Sequence, residues 1–150
     1  GGLEKNCTTS AISTDAANHA LMVKTRQEKI DYISNELPLL EVEGDQDADT
    51  LIVGWGGTYG HLYEASHKVR EQGYKIAHAH FSFINPLPLN TEELLRRYKK
   101  VIVVEQNSGQ FARYLRGFIS DFSPRQYNEV TGQPFVLSQL VEEFINLIEE

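Results

Sequence analysis

Cysteine, clustered positive charge and long apolar runs are what this sequence lacks. Cys7 is the single cysteine of the 150 residues, which excludes an internal disulfide, a cysteine-ligated iron–sulfur cluster and a multi-cysteine zinc site within the chain. Such sparse cysteine predicts the reducing cytoplasm as the compartment. The longest apolar runs, such as residues 101–104, are far too short to span a bilayer, so we expect no membrane partner.

Positive charge is scarce as well. The 14 lysine and arginine residues are scattered among 21 aspartate and glutamate residues, for a formal net charge of −7. A nucleic-acid partner would need a basic patch or stripe, so nucleic acid is not expected. The chain opens with Gly1 and Gly2 instead of a methionine, which suggests either a piece of a longer protein or a removed tag.

The first third of the chain predicts a helix followed by a connector. Capping side chains at residues 13–15 precede a weakly amphipathic helix over residues 16–33. Residues 35–49 then combine a proline, a glycine and a run of acidic residues, which is typical of a connector. We therefore interpret residues 1–48 as an N-terminal helix and connector from a preceding domain, and residues 49–150 as a compact domain.

Strand and helix patterns alternate four times in that second part. Short apolar runs predict the strands, and periodic apolar faces predict the helices between them. The predicted strands are LIVG, KIAHAHF, VIVVE and RQYNEV, which begin at residues 51, 75, 101 and 125. Such alternation predicts a three-layer α/β/α fold with a mostly parallel sheet, in which ligands gather beyond the carboxyl ends of the strands.

A glycine-rich loop, VGWGGTYG at residues 53–60, follows the first predicted strand. Its spacing is close to the dinucleotide-binding fingerprint, but the second strand ends without the acidic residue that would hold a ribose. No Lys-Ser or Lys-Thr pair follows, as a Walker loop would require. We interpret the loop as a tight turn whose aromatic residues meet a neighbouring domain. The candidate interface residues are Trp55, Gly56, Gly57, Thr58, Tyr59 and Gly60.

Glu105 is a further candidate, because a carboxylate at the end of a buried strand is costly unless it is paired. Three roles are open for it: a general base, a partner-facing ion pair or a hydrogen-bonded strand terminus. No serine–histidine–aspartate set, reactive cysteine or buried lysine accompanies it in the sequence. We therefore predict no self-sufficient active site in this chain.

Two capping boxes are predicted at helix starts. Asn90 with Glu93 precedes a short helix, and Asn107 with Gln110 precedes the next one. For Asn107, Gly109 and Gln110 a structural role in the turn is favoured, although the turn also lies at the strand ends, where interfaces form.

His78 and His80 lie on one face of the second predicted strand, together with Ile76. Two ligands at i and i+2 with no third in view do not make a zinc site. We expect a hydrogen-bonded or helix-covered pair and no metal centre.

Several segments, taken in order, resemble the carboxyl-terminal portion of the alpha subunit of 2-oxoacid:ferredoxin oxidoreductases, particularly the 2-oxoglutarate type. They are GLEKN, Asn18-His19 with Met22-Val23, EVEGDQDADTLIVGWGGTYG, INPLPLNT, VIVVEQNSGQFARYLR and TGQPF. They span essentially the whole chain. The sequence departs from many relatives at Lys5, where they carry histidine, and at Gly57, where they carry serine.

The resemblance implies a five-stranded sheet with one antiparallel strand, similar to the transketolase carboxyl-terminal domain. Because the periodicity gives only four strands, the fifth has to come from PLLEV at residues 38–42 or from another stretch interpreted as connector.

The resemblance also implies an activity. The family oxidatively decarboxylates a 2-oxoacid with coenzyme A to an acyl-coenzyme A, carbon dioxide and reduced ferredoxin. Thiamine diphosphate, magnesium and iron–sulfur clusters serve that reaction, but other domains and subunits hold them, so no cofactor or catalytic residue is implied here. The implied partners are the remaining alpha-subunit domains, the thiamine-binding beta subunit and ferredoxin, within a homo- or hetero-oligomer. An anion- or phosphate-binding module and a dimerisation domain are the alternatives.

Overall fold

Five strands form the central sheet in a computed structural model that describes residues 2–150; residue 1 of the predicted N-terminal segment lies outside it. The strands are β1 (Val42–Gly44), β2 (Thr50–Trp55), β3 (Ala77–Phe81), β4 (Lys100–Glu105) and β5 (Arg125–Asn128). The helices are α1 (Ala16–Ile33), α2 (Tyr59–Glu71), α3 (Thr91–Arg96), α4 (Gln110–Phe118) and α5 (Leu137–Glu149), and Gly56–Thr58 form a short 3-10 turn before α2.

The strand order is β1-β3-β2-β4-β5, and every pairing is parallel except that of β1 with β3. The predicted three-layer fold with a mostly parallel, five-stranded sheet is confirmed. The fifth strand is β1, which begins at Val42, the last residue of PLLEV. The sheet therefore takes one strand from before residue 49, and the domain boundary at that residue stays a prediction.

The two faces of the sheet carry separate apolar cores, because successive side chains of a strand point to opposite faces. Leu51, Val53 and Phe81 pack with α3 and α4 on one face. Ile52, Ile76 and Ile102 pack with α2 and α5 on the other. Strands β2 and β4 are covered on both sides, which is why their sequences are continuously apolar instead of alternating.

Helix α1 begins and ends where the sequence predicted it. The carboxylate of Asp15 accepts a hydrogen bond from the amide of Asn18 at 2.7 Å and caps the first turn. Asn18 is the one buried residue of α1. The helix therefore contributes almost nothing to the two cores, in agreement with its weak amphipathic pattern.

The predicted capping box at Asn90 is wrong in its side-chain contacts. Asn90 does precede α3, but its side chain makes no capping hydrogen bond. Its Oδ1 accepts from the amide of Leu40 at 2.8 Å, and its Nδ2 donates to the carbonyl of the same residue at 2.9 Å. The side chain of Asn90 thus satisfies both backbone polar groups of Leu40, just before β1, as a neighbouring strand would. The local sequence does not reveal this role.

The chain reverses direction across the sheet between β2 and β4. From β2 the chain passes through α2 to β3 on one side, and α3 then carries it back over β2 to β4 on the other side. In open α/β sheets the crevice beyond such a switch point is the usual ligand site. Trp55 at the end of β2 and Glu105 at the end of β4 lie at this point.

Gly54 allows α2 to approach β2 closely. A Cβ atom at this position would clash with Cδ1 of Leu62 and would lie 3.0 Å from Oγ1 of Thr58. Gly57, three residues later, has no heavy atom within 4 Å of the equivalent position. The two glycines therefore serve different purposes, although the sequence motif treats them alike.

We expect the substitution Gly54→Ala to lower the free energy of unfolding by about 1 to 3 kcal/mol, because the added methyl group overpacks the contact between β2 and α2. Urea denaturation followed by circular dichroism measures the change. Gly57→Ala is the matched control and should leave the unfolding midpoint nearly unchanged. Equal midpoints for the two variants would contradict this account of Gly54.

Candidate functional site

Glu105 lies at the centre of the strand-end region, and its side chain is completely buried. Its Oε1 accepts hydrogen bonds from the amide of Phe111 at 2.8 Å, from Nε1 of Trp55 at 3.1 Å and from Nδ2 of Asn107 at 3.0 Å. Its Oε2 accepts from the amide of Ala112 at 3.1 Å. The carboxylate is thus surrounded by four donors from three elements.

Of the three roles open to Glu105, the structure corresponds to the hydrogen-bonded strand terminus. A carboxylate at a helix amino terminus satisfies backbone amides that have no partner within the helix, and the helix dipole favours its negative charge. A general base has to reach a reacting group, and an ion pair needs a cation, whereas the donors around Glu105 are all neutral amides and an indole. We conclude that Glu105 joins β2, β4 and α4.

The turn from β4 into α4 completes this arrangement. Oδ1 of Asn107 accepts from the amides of Gly109 at 2.8 Å and Gln110 at 2.9 Å, so the predicted cap is present on the asparagine side. Among residues 2–150 no hydrogen bond returns from the side chain of Gln110, which is exposed. Gly109 has a φ of 83° and lies against the side chain of Gln126, so a larger residue would be both strained and blocked.

The glycine-rich loop folds into a turn that is closed by its own side chains. The hydroxyl of Thr58 donates to the carbonyl of Trp55 at 2.9 Å, and the Trp55 ring packs against Phe111 with the centroids 6.0 Å apart. Gly57 and Gly60 face open space. Because Trp55 and Glu105 are bonded to each other, the crevice at the switch point is filled by the chain itself.

An apolar groove runs beside the filled crevice, on the face covered by α3 and α4. Its first part has a volume of about 210 Å³ and is lined by Trp55, Ile84, Asn85, Gln110, Phe111 and Tyr114. A second hollow of about 330 Å³ continues past Tyr114 and Phe118 towards residues 85–89 and α1. We call these two hollows together the strand-end groove.

Sequence reasoning found Trp55 and Gln110 of this groove but missed its other exposed members. The pattern at residues 111–119 predicts one inner face, whereas Tyr114 is 39% exposed and Phe118 is 54% exposed. Residues 111, 115 and 119 form the buried stripe, and 114 and 118 form a second stripe beside it. This doubled stripe is the sequence signal that could have revealed an additional apolar surface.

A separate hollow, which we call the histidine pocket, lies on the face of the sheet opposite the strand-end groove. It has a volume of about 450 Å³ and is lined by Glu41, Glu43, Gly56, Tyr59, His78, His80 and Ser82. The expectation of a helix-covered pair is met in part, since His78 is buried next to α2. The expectation of a hydrogen-bonded pair fails for His78, because neither of its ring nitrogens has a partner among residues 2–150.

The protonation of both histidines is shifted by the pocket. Burial lowers the pKa of His78 to about 4, an effect that the nearby carboxylate of Glu43 opposes and the field of His80 reinforces. Burial also lowers the pKa of His80, while its hydrogen bond to the carbonyl of Gly56 acts in the opposite direction. Both rings are therefore neutral at pH 7.

Within residues 2–150, no three histidine, cysteine, aspartate or glutamate side chains converge so that they could hold a metal ion. No helix in this range is both long enough and apolar enough to cross a membrane.

The substitution Glu105→Gln should lower the free energy of unfolding by about 2 to 4 kcal/mol. A glutamine amide loses the charge-assisted bonds and turns one N–H group towards donors that need an acceptor. Urea denaturation measures the loss, and Glu142→Gln, on the exposed side of α5, is the control that should change little. A fully stable Glu105→Gln variant would show that the carboxylate is not required to join these elements.

Stability should depend on pH through His78. The unfolded chain binds a proton near the ordinary pKa of 6.5, but folded His78 does so only near 4. Its contribution is therefore complete above pH 6.5 and is lost as the pH falls towards 4, at up to about 1.4 kcal/mol per pH unit. The free energy of unfolding, measured between pH 7 and pH 4, should fall less steeply with decreasing pH for His78→Phe than for the unsubstituted chain. Equal slopes of this free energy against pH in the two proteins would disprove the effect.

Comparison with known proteins identifies the family. The family model described as pyruvate:ferredoxin oxidoreductase core domain II matches residues 48–134. The 2-oxoglutarate oxidoreductase subunit KorA of Mycobacterium tuberculosis is 48% identical over 142 residues, which cover 93% of this chain and 21% of that protein. The 2-oxoacid:ferredoxin oxidoreductase 1 subunit alpha of Aeropyrum pernix is 32% identical over 144 residues, 91% of this chain and 22% of that protein.

Solved structures agree with these relatives. The 2-oxoglutarate:ferredoxin oxidoreductase from Magnetococcus marinus, determined with 2-oxoglutarate, coenzyme A and succinyl-CoA bound, matches 99% of this chain and 26% of its own, with a TM-score of 0.86 and 31% identity. The alpha chain of a probable 2-oxoacid ferredoxin oxidoreductase from Thermoplasma acidophilum shares the fold, with a TM-score of 0.51 and 17% identity over 75% of this chain and 98% of its own.

The chain spans about a fifth of the length of the curated relatives that it matches, 21% and 22%. The resemblance to the alpha subunits of 2-oxoacid:ferredoxin oxidoreductases, inferred from the order of its sequence segments, is confirmed by these matches. The family model covers more than half of the chain, and the chain therefore belongs to the pyruvate:ferredoxin oxidoreductase core domain II family.

Proposed function

We propose that this chain is the carboxyl-terminal domain of the alpha subunit of a 2-oxoglutarate-type 2-oxoacid:ferredoxin oxidoreductase. The whole enzyme would oxidatively decarboxylate the 2-oxoacid, transfer the acyl group to coenzyme A and pass the electrons to ferredoxin. The observation that carries the proposal is the match of 99% of the chain to a 2-oxoglutarate:ferredoxin oxidoreductase at a TM-score of 0.86.

Within that enzyme the domain packs against its neighbours and carries out no chemistry of its own. The hydrogen bond between Trp55 and Glu105 fills the crevice where related folds bind ligands. The amino terminus of α4, an ordinary anion site, already receives the carboxylate of Glu105. These two contacts support a scaffold role.

The strand-end groove is the surface proposed to meet the neighbouring domain. Its rim carries large apolar side chains that are exposed in the isolated chain, with Phe118 at 54% and Leu89 at 63%. A contiguous apolar surface of this kind marks an interface. Trp55 and Gln110 line this groove, whereas Tyr59 lines the histidine pocket on the opposite face of the sheet. We retain all three as candidate interface residues. Residues 1–48 would lead into this domain from the preceding one.

We expect the cofactors of the enzyme to be held outside this chain. A single cysteine cannot by itself ligate an iron–sulfur cluster. The proposal assigns thiamine diphosphate, magnesium and the iron–sulfur clusters to other parts of the assembly, in which the thiamine-binding beta subunit is a partner and ferredoxin the acceptor. The sparse cysteine supports the cytoplasm as the compartment.

The alternative of an anion-binding module finds little support. The carboxylates of Glu41 and Glu43 line the same pocket as Gly56, and they would repel an anion at the glycine-rich turn. A dimerisation domain is compatible with the strand-end groove, but the groove alone does not distinguish a second copy from another domain.

The full-length subunit co-expressed with its partner subunit should reduce methyl viologen with 2-oxoglutarate and coenzyme A. The 150-residue chain alone should neither reduce the dye nor bind thiamine diphosphate in calorimetry.

In the full-length subunit, Tyr114→Ser combined with Phe118→Ser should lower the yield of assembled enzyme about tenfold, because a loss of about 1.4 kcal/mol in the interface has that effect.

Val130→Ser is the matched control, since Val130 is 71% exposed and does not line the strand-end groove. Gel filtration measures the assembly, and the melting temperature of the isolated chain verifies that the variants fold. Activity of the isolated chain would overturn the proposal. Normal assembly of the double variant would show that the strand-end groove is not the interface with the neighbouring domain.

A further inference from the structure

The histidine pocket contains hydrogen-bonding groups that residues 2–150 do not satisfy. His78 is 1% exposed, and neither of its nitrogens has a partner among these residues. Oε2 of Glu43 is also buried and without a partner, and it lies 3.6 Å from Nδ1 of His78, which is beyond hydrogen-bonding distance. Register explains this proximity, because Glu43 on β1 is directly opposite His78 on β3.

The unsatisfied groups are mainly acceptors. Nε2 of His80 lies 3.0 Å from the carbonyl oxygen of Gly56. A carbonyl can only accept, so this nitrogen carries the proton and Nδ1 of His80 is left as a buried acceptor without a partner. Neutral His78 supplies one more acceptor and one donor. Together with Oε2 of Glu43, the residues that line the pocket have three unpaired acceptors for a single donor, and the acceptor of His80 is the one that lies towards Gly54.

The charge around the pocket, like the excess of acceptors, favours a ligand that donates hydrogen bonds. Glu41 and Glu43 supply two carboxylates to the lining, and both histidines are neutral. The remaining charged group close to His78 is the guanidinium of Arg70, which packs against Gly44, is not part of the pocket lining and further lowers the pKa of His78. Its Nη1 is buried without a partner among residues 2–150. The lining itself therefore favours a positively charged group with several N–H donors.

Tyr59 forms an aromatic wall over these acceptors. Its ring centroid lies 5.2 Å from that of His80 and 5.9 Å from that of His78. Its hydroxyl donates to Oε1 of Glu43 at 2.9 Å and so leaves Oε2 as the unpaired oxygen. Because Tyr59 is 43% exposed, its ring is accessible from outside. A planar cation can stack on such a ring while it donates to a carboxylate.

We propose that the histidine pocket binds a guanidinium group, presented by an arginine side chain of a neighbouring domain. The planar guanidinium has five N–H donors, which match the surplus of acceptors better than the three donors of an ammonium group. The arginine as the source rests on the proposed function, since four-fifths of the related subunits lie outside this chain. The acidic chain, with its net charge of −7, complements a basic partner.

The test is a titration of the 150-residue chain with N-acetylarginine amide, followed by the proton resonances of the His78 and His80 rings. We expect saturable shifts of both resonances. The uncharged isostere N-acetylcitrulline amide should bind about tenfold more weakly or worse, because a charge-assisted hydrogen bond is about twice as strong as a neutral one. N-acetyllysine amide should also bind more weakly than the arginine derivative.

Glu43→Gln should weaken the binding of N-acetylarginine amide by about tenfold. Glu64→Gln is the matched control, because it removes a carboxylate on α2 that pairs only with the exposed Lys68, and it should leave binding unchanged. Equal binding of citrulline and arginine derivatives, unchanged binding by Glu43→Gln, or lysine binding as tight as arginine would each overturn the proposal.

This outcome is separable from that of the proposed function. The titration uses the chain alone, so a negative titration overturns the guanidinium site whether or not the subunits assemble. If the titration succeeds but the full-length subunit neither assembles nor shows activity, the proposed function fails, and the assignment to an arginine of a neighbouring domain fails with it.

Discussion

Four hydrogen bonds converge on the carboxylate of Glu105 and connect the end of β4 to the first turn of α4 and to the indole of Trp55. A buried charge without these donors would cost several kcal/mol, so the donors and the carboxylate depend on one another. The same contact that stabilises the helix start also occupies the crevice between β2 and β4. One interaction therefore explains both how the strand ends are held together and why no ligand site opens there.

The strand-end groove and the histidine pocket lie on opposite faces of β2, and the alternation of that strand separates them. Trp55 points into the strand-end groove, whereas Gly54, one residue earlier, faces the histidines and α2. The groove is apolar and the histidine pocket is polar and acidic in its lining. A domain whose central crevice is filled by its own side chains thus still has two chemically distinct surface hollows.

Much of the fold was predictable because its signals are local. Asp15 caps a helix whose limits match the sequence pattern, and the continuous apolar runs of β2 and β4 correspond to strands covered on both faces. Less of the site was predictable. Oδ1 of Asn107 accepts from the amide of Gln110 as predicted, although Gly109 is the N-cap residue of α4, and Asn90 bonds to Leu40 instead of its own helix. The exposed stripe of Tyr114 and Phe118 was hidden within an ordinary amphipathic pattern.

The sequence by itself determined the alternation of strands and helices and the family to which the ordered segments belong. The tertiary structure alone decided that Trp55 meets Glu105, 50 residues away, and that Glu43 stands opposite His78. The physical reason is that the spacing of apolar residues determines which face of a helix or strand is buried. Strand order and register, in contrast, decide which polar groups lie next to each other across the sheet. The chemistry of the strand-end groove and of the histidine pocket depends on these contacts between residues that are distant in sequence.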